Sequence, residues 1–290
     1  MPLNKLSLVI LNYNSKFWLK KCLSSIHEEY LSKTKNLVEV IVVDNHSHDD
    51  SIEMIKNDFN WVKLIELDDN KGFSAGNNVA LKQIESEYAM LLNSDTEFTT
   101  LSNLDLLLNF MDSNSQAAVV TPKLMLPDGS LDWASHRGEP TPWASLTYYL
   151  GLEQLFPNSA VFGQYHQKYL DLNSPHQVDA CSGAAMMVRT QYMDEVGFLD
   201  EQFFMYAEDL DWCKRFREVG YEVWYMPEVE VIHHKYKSGI KTQSPLTAIQ
   251  SKRHFYNTML QYYDKHYRDK YPRFVRFLLR TFLFIKKGGM

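Results

Sequence analysis

Three places in the sequence put proton- or metal-handling groups where plain surface polarity does not call for them. The stretch YAMLLNSDTEF (88–98) runs apolar and then stops in Asn93, Ser94, Asp95 and Thr96. The stretch YAEDLDWCKRFREVG (206–220) carries Glu208 and Asp209 at the start of a helical pattern closed by Gly220. At about 100° per residue, Tyr206, Leu210, Trp212, Cys213, Phe216 and Val219 form one apolar arc, and Asp211, Lys214, Arg215 and Glu218 lie opposite. Asp209 falls near the middle of the apolar arc and Glu208 at its edge. An acid in a first helical turn is favoured by the helix dipole; an acid facing a cleft is instead a desolvated base able to take a proton from a hydroxyl. The third place is VEVIHH (229–234), where His233 and His234 end an alternating strand, so that only one of them can face a given site. A strand-end carboxylate such as Asp95 with a strand-end imidazole suits Mn²⁺ or Mg²⁺ carrying a substrate phosphate.

These groups need elements to hold them. Over the first 120 residues, apolar strand-like runs (KLSLVILNYN, LVEVIVVDN, WVKLIELDDN, EYAMLLNSD) alternate with helical ones (FWLKKCLSSIHEEYL, DSIEMIKNDF, SAGNNVALKQIES). Continuous apolar strands separated by helices predict a parallel sheet covered on both faces. Ligands of such sheets gather at the carboxyl ends of the strands. Those ends read Asn12, Tyr13 and Asn14; Asp44 and Asn45; Asp68 to Asn70 with the turn NKGFSAGNN; and Ser94 and Asp95. Each is a turn former or helix cap in its own right, but four polar strand ends at one edge predict a shared crevice. From 121 to 176 prolines punctuate aromatic-rich sequence, which predicts a long surface excursion of the kind that binds or covers a ligand. HQVDACSGAAMMVRT (176–190) predicts a strand pair.

The 290 residues are 45% hydrophobic and 23% charged, with net charge −6. This is globular composition, and the acidic balance argues against a nucleic-acid enzyme. Three cysteines, Cys22, Cys181 and Cys213, show no metal-type spacing and suit a reducing, cytoplasmic setting. The apolar run Leu6 to Leu11 is short for a signal peptide, and no stretch reaches the ~18 apolar residues of a spanning helix. YPRFVRFLLRTFLFIKKGGM (271–290) sets Arg273, Arg276, Arg280 and Lys287 against Phe274, Val275, Leu278, Phe282 and Ile285. Such a basic amphipathic helix fits either an anionic membrane surface or the protein's own core or a second subunit.

The segments VILNYN, VEVIVVDNHSHDDS, NKGFSAGNN, LLNSDTEF, CSGAAMMVRT, VGFLDEQFFMYAEDLDWCKRFREVGY and VIHHKYKS, in this order over about residues 6–268, resemble the inverting family 2 glycosyltransferases of GT-A fold, and within them the rhamnosyltransferase-like branch. The resemblance implies a Rossmann-like, mostly parallel α/β sheet flanked by helices, with a GT-A domain over 1–240 and a C-terminal helical extension over 241–290. Residues 1–120 would bind the nucleotide sugar and 121–240 the acceptor. It implies that Asn12, Tyr13, Asn14 and Asp44 hold base and ribose, and that Asn70, Gly72, Gly76, Asn77 and Ser94 lie against nucleotide and sugar. Asp95 would be the metal-binding acid with His233, Asp209 the catalytic base with Glu208 beside it, and the cofactor Mn²⁺ or Mg²⁺. The implied donor is dTDP-L-rhamnose, with UDP-sugars as the alternative, and the acceptor a glycan or lipid-linked glycan of cell-surface polysaccharide assembly. One carboxylate of the family's Asp-x-Asp remains, and Lys235, Tyr236 and Lys237 replace its Gly-rich turn. Lys235, Lys237 or Arg253 would then help neutralise the diphosphate. A silent nucleotide-sugar binding module is the competing class. A nucleotidyltransferase would carry a Gly-rich, Arg-containing loop where this chain has LNYNSKFW.

Overall fold

The computed structural model describes residues 4–235 and 245–287, with side chains except at 245–253 and 287. The first third alternates as its periodicity requires: β1 (Leu6–Asn12), α1 (Lys16–Ile26), β2 (Val38–Asp44), α2 (Ser51–Asp58), β3 (Lys63–Glu66), α3 (Gly72–Leu81) and β4 (Tyr88–Asn93). Next come β5 (Thr96–Glu97), α4 (Asp105–Ser113), β6 (Ala117–Met125), α5 (Pro142–Tyr149), α6 (Leu152–Leu155), β7 (His176–Gln177), β8 (Ala185–Arg189) and α7 (Met193–Val196). α8 (Glu208–Glu218), β9 (Glu222–His233), α9 (Pro245–His266) and α10 (Arg273–Lys287) complete the chain.

The strands form one mixed sheet in the order β3-β2-β1-β4-β8-β6-β9-β5, with β7 on β9. β3, β2, β1 and β4 run parallel, as their apolar runs predict. Beyond β4 the directions mix, because β8 lies antiparallel to both β4 and β6 while β6 and β9 are parallel. The expected strand pair at 176–190 does not form: β7 pairs with β9, and β8 with β4 and β6. Successive strand side chains point to opposite faces, so β1 sends Leu6, Leu8 and Ile10 into one core with α1, and Val9 into the other, against α8 and α9. Each fully buried aliphatic side chain contributes roughly 1.5–3 kcal/mol.

Two features carry polar groups to the sheet's edge. β9 slips register against β6 between Pro122 and Lys123, opposite its own Pro227, which cannot donate to a ladder. After this bulge β9 continues to pair with β5, setting Thr96 opposite His233. The 121–176 excursion is not confined to the surface. Asp132, Ser135, His136, Thr147 and Glu153 in it are buried, and it passes beneath the end of β9.

Candidate active site

Asp95 sits in the turn between β4 and β5, and its carbonyl accepts from His234 N at 2.9 Å. This backbone bond fixes the end of β9 beside Asp95. The two histidines then diverge as strand alternation demands. His233 Nε2 stands 3.4 Å from Asp95 Oδ1 and 3.3 Å from Asn93 Nδ2. His234 turns away, with its ring 4.5 Å from Trp18 and its Nε2 2.6 Å from Glu97 Oε2. Behind His233, Asp132 Oδ2 lies 2.8 Å from Nδ1. Asp132 itself caps the turn Trp133–Ser135 through Ala134 N and accepts from Lys235 Nζ at 2.7 Å. Burial works against charge on His233, but its hydrogen bonds to Asp132 and Asp95 outweigh burial and raise its pKa to about 9. Burial likewise opposes the Asp132 anion, and His233 and Lys235 overcome it, so its carboxyl is held far below the usual range.

Once the His233 Nε2 proton is displaced, as ligation of a metal requires, the donor set fits a small divalent cation. Two donors bound at right angles at about 2.1 Å lie roughly 3 Å apart, close to the 3.4 Å between Asp95 Oδ1 and His233 Nε2. A carboxylate on the far nitrogen of a ligating histidine fixes its tautomer and ring plane, which is the place Asp132 takes. Among the described residues no group of three or more His, Cys, Asp and Glu side chains is arranged to hold a metal. Other positions would therefore fall to water and substrate oxygens.

α8 begins later than its pattern predicts, at Glu208, because Tyr206 (φ 74°) and Ala207 (φ 64°) are left-handed. Non-glycine residues in that region cost on the order of 1 kcal/mol or more each, and here they aim the first helical turn inward. Gly220 ends α8 as expected, with Gly220 N bonding to Arg217 O and Tyr221 N to Phe216 O, the two bonds of a Schellman closure. Asp209 is buried, but not as a lone acid. Arg137 Nη2 donates to its Oδ2 at 2.6 Å and Gly183 N at 3.3 Å, while Oδ1 accepts from Leu210 N at 2.7 Å. Arg137 is thus the countercharge that the helical wheel did not supply. Glu208 forms no ion pair among the described residues: burial and then the Asp209 charge raise its carboxyl pKa well above the usual value, the Arg137 charge offsets them only in part, and its Oε2 has no hydrogen-bond partner among the described residues. The wheel also placed Asp211 and Lys214 outward, and both are buried. α9 covers Asp211 with Lys265 and His266, and Lys214 meets Glu139.

The two acid centres share one turn. Gly183 N donates to Asp209, and the carbonyl of the next residue, Ala184, accepts from Asn93 N, two residues before Asp95. Along the same edge the ends of β1 and β2 are tied together. Asn12 Nδ2 donates to Asp44 Oδ2 and Ser47 Oγ, Asp44 Oδ1 accepts from Ser47 N, and Asn14 Oδ1 accepts from His48 N. Asn12 is fully buried, yet its Oδ1 has no partner among the described residues. Tyr13 is exposed and Ser94 buried. Asn70 Oδ1 accepts from Asn45 Nδ2 and Gly72 N. Gly72 (φ +80°) abuts Phe204, Gly76 abuts Leu11, and Asn77 donates within its own helix to Phe73 O. Lys237 and the side chain of Arg253 lie outside the described residues.

Asp132 and Arg137 went unread in the sequence. Their one local signal is a pair of opposite charges in LDWASHRG, among small and aromatic residues.

Residues 7–194 match the family model described as Glycosyl transferase family 2. The chain is 26% identical over 237 residues to the low-salt glycan biosynthesis hexosyltransferase Agl10 of Haloferax volcanii, covering 80% of this chain and 68% of that one. It is also 26% identical over 245 residues to an N-acetylglucosaminyl-diphospho-decaprenol L-rhamnosyltransferase of Mycobacterium tuberculosis, covering 80% and 77%. In fold it is similar to the mannosyltransferase PcManGT from Pyrobaculum calidifontis, solved in complex with GDP-Man and Mn²⁺. The TM-score is 0.60 at 14% identity, over 98% of this chain and 70% of that one. The fold is accordingly of GT-A type.

Proposed function

The chain belongs to glycosyl transferase family 2, and from that premise we propose that it moves a sugar, with inversion, from a nucleoside diphosphate to a hydroxyl of a glycan or lipid-linked glycan in cell-surface polysaccharide assembly. The first-choice donor is dTDP-L-rhamnose, in keeping with the relative named as an L-rhamnosyltransferase. UDP-sugars are the alternative. The observation that carries the reading is the shared turn that holds Asp209 on one side and Asp95 with His233 on the other.

In this reading residues 1–120 hold the nucleotide sugar and 121–240 receive the acceptor. The buried Asn12 Oδ1, without a partner among the described residues, suits the N3–H of thymine or uracil. Tyr13, Asn14 and Asp44 border the base and ribose, and Asn70, Gly72, Gly76, Asn77 and Ser94 border the rest of the donor. Asp209 takes the hydroxyl proton as the acceptor oxygen attacks the anomeric carbon. The bond from that carbon to the diphosphate oxygen breaks, and its electron pair leaves with the nucleotide. Oδ1, which accepts from the Leu210 amide, keeps a second lone pair for the proton, while Arg137 holds Oδ2 still. Glu208, whose carboxyl burial and the Asp209 charge bias toward the neutral form, stands beside the base at the start of α8. Asp95 and His233 would hold a divalent cation, Mn²⁺ or Mg²⁺, which would supply positive charge at the departing diphosphate. Lys235, at the end of the same segment, adds to it, with Lys237 and Arg253 as further candidates.

Among the described residues no helix is long and apolar enough to cross a membrane. A lipid-linked acceptor places the enzyme at the cytoplasmic face of a membrane, attached peripherally through the 241–290 extension.

Thermal unfolding with dTDP-L-rhamnose, UDP-sugars and GDP-mannose, each with and without Mn²⁺, tests the donor. A ligand at about 100 times its Kd adds roughly 2.7 kcal/mol of stability. The expected result is a Mn²⁺-dependent rise in Tm with dTDP-L-rhamnose. Turnover of the stabilising donor separates an enzyme from a silent binding module, and the anomeric configuration of the product checks inversion. No shift with any donor would remove the reading.

A further inference from the structure

α10 divides its surface three ways. Val275, Leu279, Phe282 and Leu283 pack toward the protein, and Arg276 turns inward to a bidentate pair with Asp264 on α9. Of the two expected settings for this helix, the protein's own core takes Val275 and Leu279, and Arg276, expected beside Arg273 and Arg280 on the basic side, is drawn into the pair with Asp264. Facing out are Phe274, Phe277, Leu278, Phe284 and Ile285, each more than half exposed. At about 100° per residue these five span one arc. Arg273 and Arg280 lie on the flank of that arc nearer α9. Phe282 lies on the opposite flank, and its ring meets Tyr149 of α5 at 4.8 Å.

Phe282 thus links the edge of that arc to α5, which leads into α6. There Trp143, Leu146 and Leu150, spaced three and four apart on one helical face, are exposed, and Leu155, Phe156 and Val161 follow. Trp143 and Phe156 both pack on Phe162, and Trp143 Nε1 donates to Val161 O, which ties these four residues together. Lys286 sits over the rings of Tyr149 and Phe282, at the junction of the two helices. The charge is lopsided. Residues 268–287 carry seven Lys and Arg and one acid, Asp269, in a chain whose net charge is −6.

We infer that α10 and the α5–α6 segment together form one face that lies in the headgroup region of an anionic lipid bilayer. The proposal rests on the membrane attachment assigned above to the C-terminal extension and adds a second element to it. A polar partner protein would leave the eleven large apolar side chains named above unmatched, and a second copy would add another basic flank with Asp269 as the one acid of residues 268–287 to offset it. An anionic bilayer answers both features, because acyl chains take the apolar arc and phosphates take its basic flank.

The experiment is co-sedimentation of the full chain with vesicles of phosphatidylcholine alone, or of equal parts phosphatidylcholine and phosphatidylglycerol. Binding to the anionic vesicles only, or much more strongly, is expected. Arg273→Gln with Arg280→Gln should weaken it by about fivefold per arginine at low salt. Phe277→Ser with Ile285→Ser should abolish it. Leu150→Ser with Leu155→Ser, far from α10 in sequence, should weaken it at least tenfold with an unchanged Tm. If the α10 variants lose binding and the Leu150/Leu155 variant keeps it, the composite face is wrong and attachment through α10 alone stands. If the unaltered chain binds neither vesicle, both fall. If it sediments as a dimer that the same variants split into monomers, the occupant is a second copy and the inference is overturned.

Discussion

Asp132 Oδ2 lies 2.8 Å from His233 Nδ1, across 101 residues of chain. The contact decides which way the imidazole faces, because the ring can present Nε2 to Asp95 only while Nδ1 is held from behind. Asp132→Asn keeps an acceptor for Ala134 N but removes the charge that locks the ring. Mn²⁺ affinity should fall about 10–100-fold, measured by isothermal titration with Mn²⁺ alone, while the circular dichroism spectrum stays the same. Unchanged affinity would detach Asp132 from the metal site.

Arg137 and Asp209 form a second buried pair, with 12% and 11% of their side-chain surfaces exposed. Removing one member of a buried pair strands the other charge, at a cost of about 3–5 kcal/mol. Arg137→Ala should lower unfolding free energy by that order in urea. The double variant with Asp209→Asn should be more stable than Arg137→Ala alone. Additive losses would show that the two groups do not couple.

Asp209→Asn alone keeps the side chain's shape and removes the proton acceptor, at the cost of leaving the Arg137 charge without its partner. Transfer should drop by about 10²–10⁴-fold, and the Tm rise given by the nucleotide should persist. A variant that transfers at full rate takes Asp209 out of the base role.

Acid stability should report how α8 is fastened to the rest of the chain. Burial opposes ionisation of Glu139, but Lys214, Tyr267 and Arg217 prevail and lower its pKa from 4.5 to about 2. Asp211 is lowered to about 2 in the same way, by His266, Arg215 and Lys265 against burial. A carboxyl whose folded pKa is depressed adds stability above its unfolded pKa and loses it as pH falls toward the folded one. Urea midpoints should therefore decline between about pH 4.5 and pH 2. Glu139→Gln with Asp211→Asn should flatten that decline. A slope unchanged in the double variant would assign acid sensitivity elsewhere.

The two glycines of NKGFSAG should respond differently to alanine. At Gly72, φ is +80° and a Cβ would lie 2.5 Å from the backbone oxygen of Phe204. The left-handed backbone alone costs about 1–2 kcal/mol, and a carbonyl cannot rotate away as a side chain can. At Gly76 the obstacle is a Leu11 methyl, which can. Gly72→Ala should lower Tm clearly more than Gly76→Ala, and the reverse order would contradict the packing described.

What could be read in advance followed local rules. The alternation that builds β1 to β4 is local, and so is the strand parity that points only one of His233 and His234 at Asp95. The Gly220 stop is local too. Contacts made by the Pro-broken excursion are not. Nothing near Asp209 in sequence signals Arg137, and nothing near His233 signals Asp132. The helical wheel misplaced Asp211 and Lys214 for a related reason: it shows a helix against water, while α9 and Glu139 arrive from distant chain to cover that side. Antiparallel entry of β8 beside β4 likewise depends on how the chain returns, which periodicity does not encode.

Only the short helical turn Trp133–Ser135 and His136 separate Asp132 from Arg137. One of these residues braces the imidazole and the other braces the carboxylate, so this six-residue strap is a yoke across both. Its length is then a shared dimension of the enzyme. Adding or deleting a single residue within it would throw one brace out of reach.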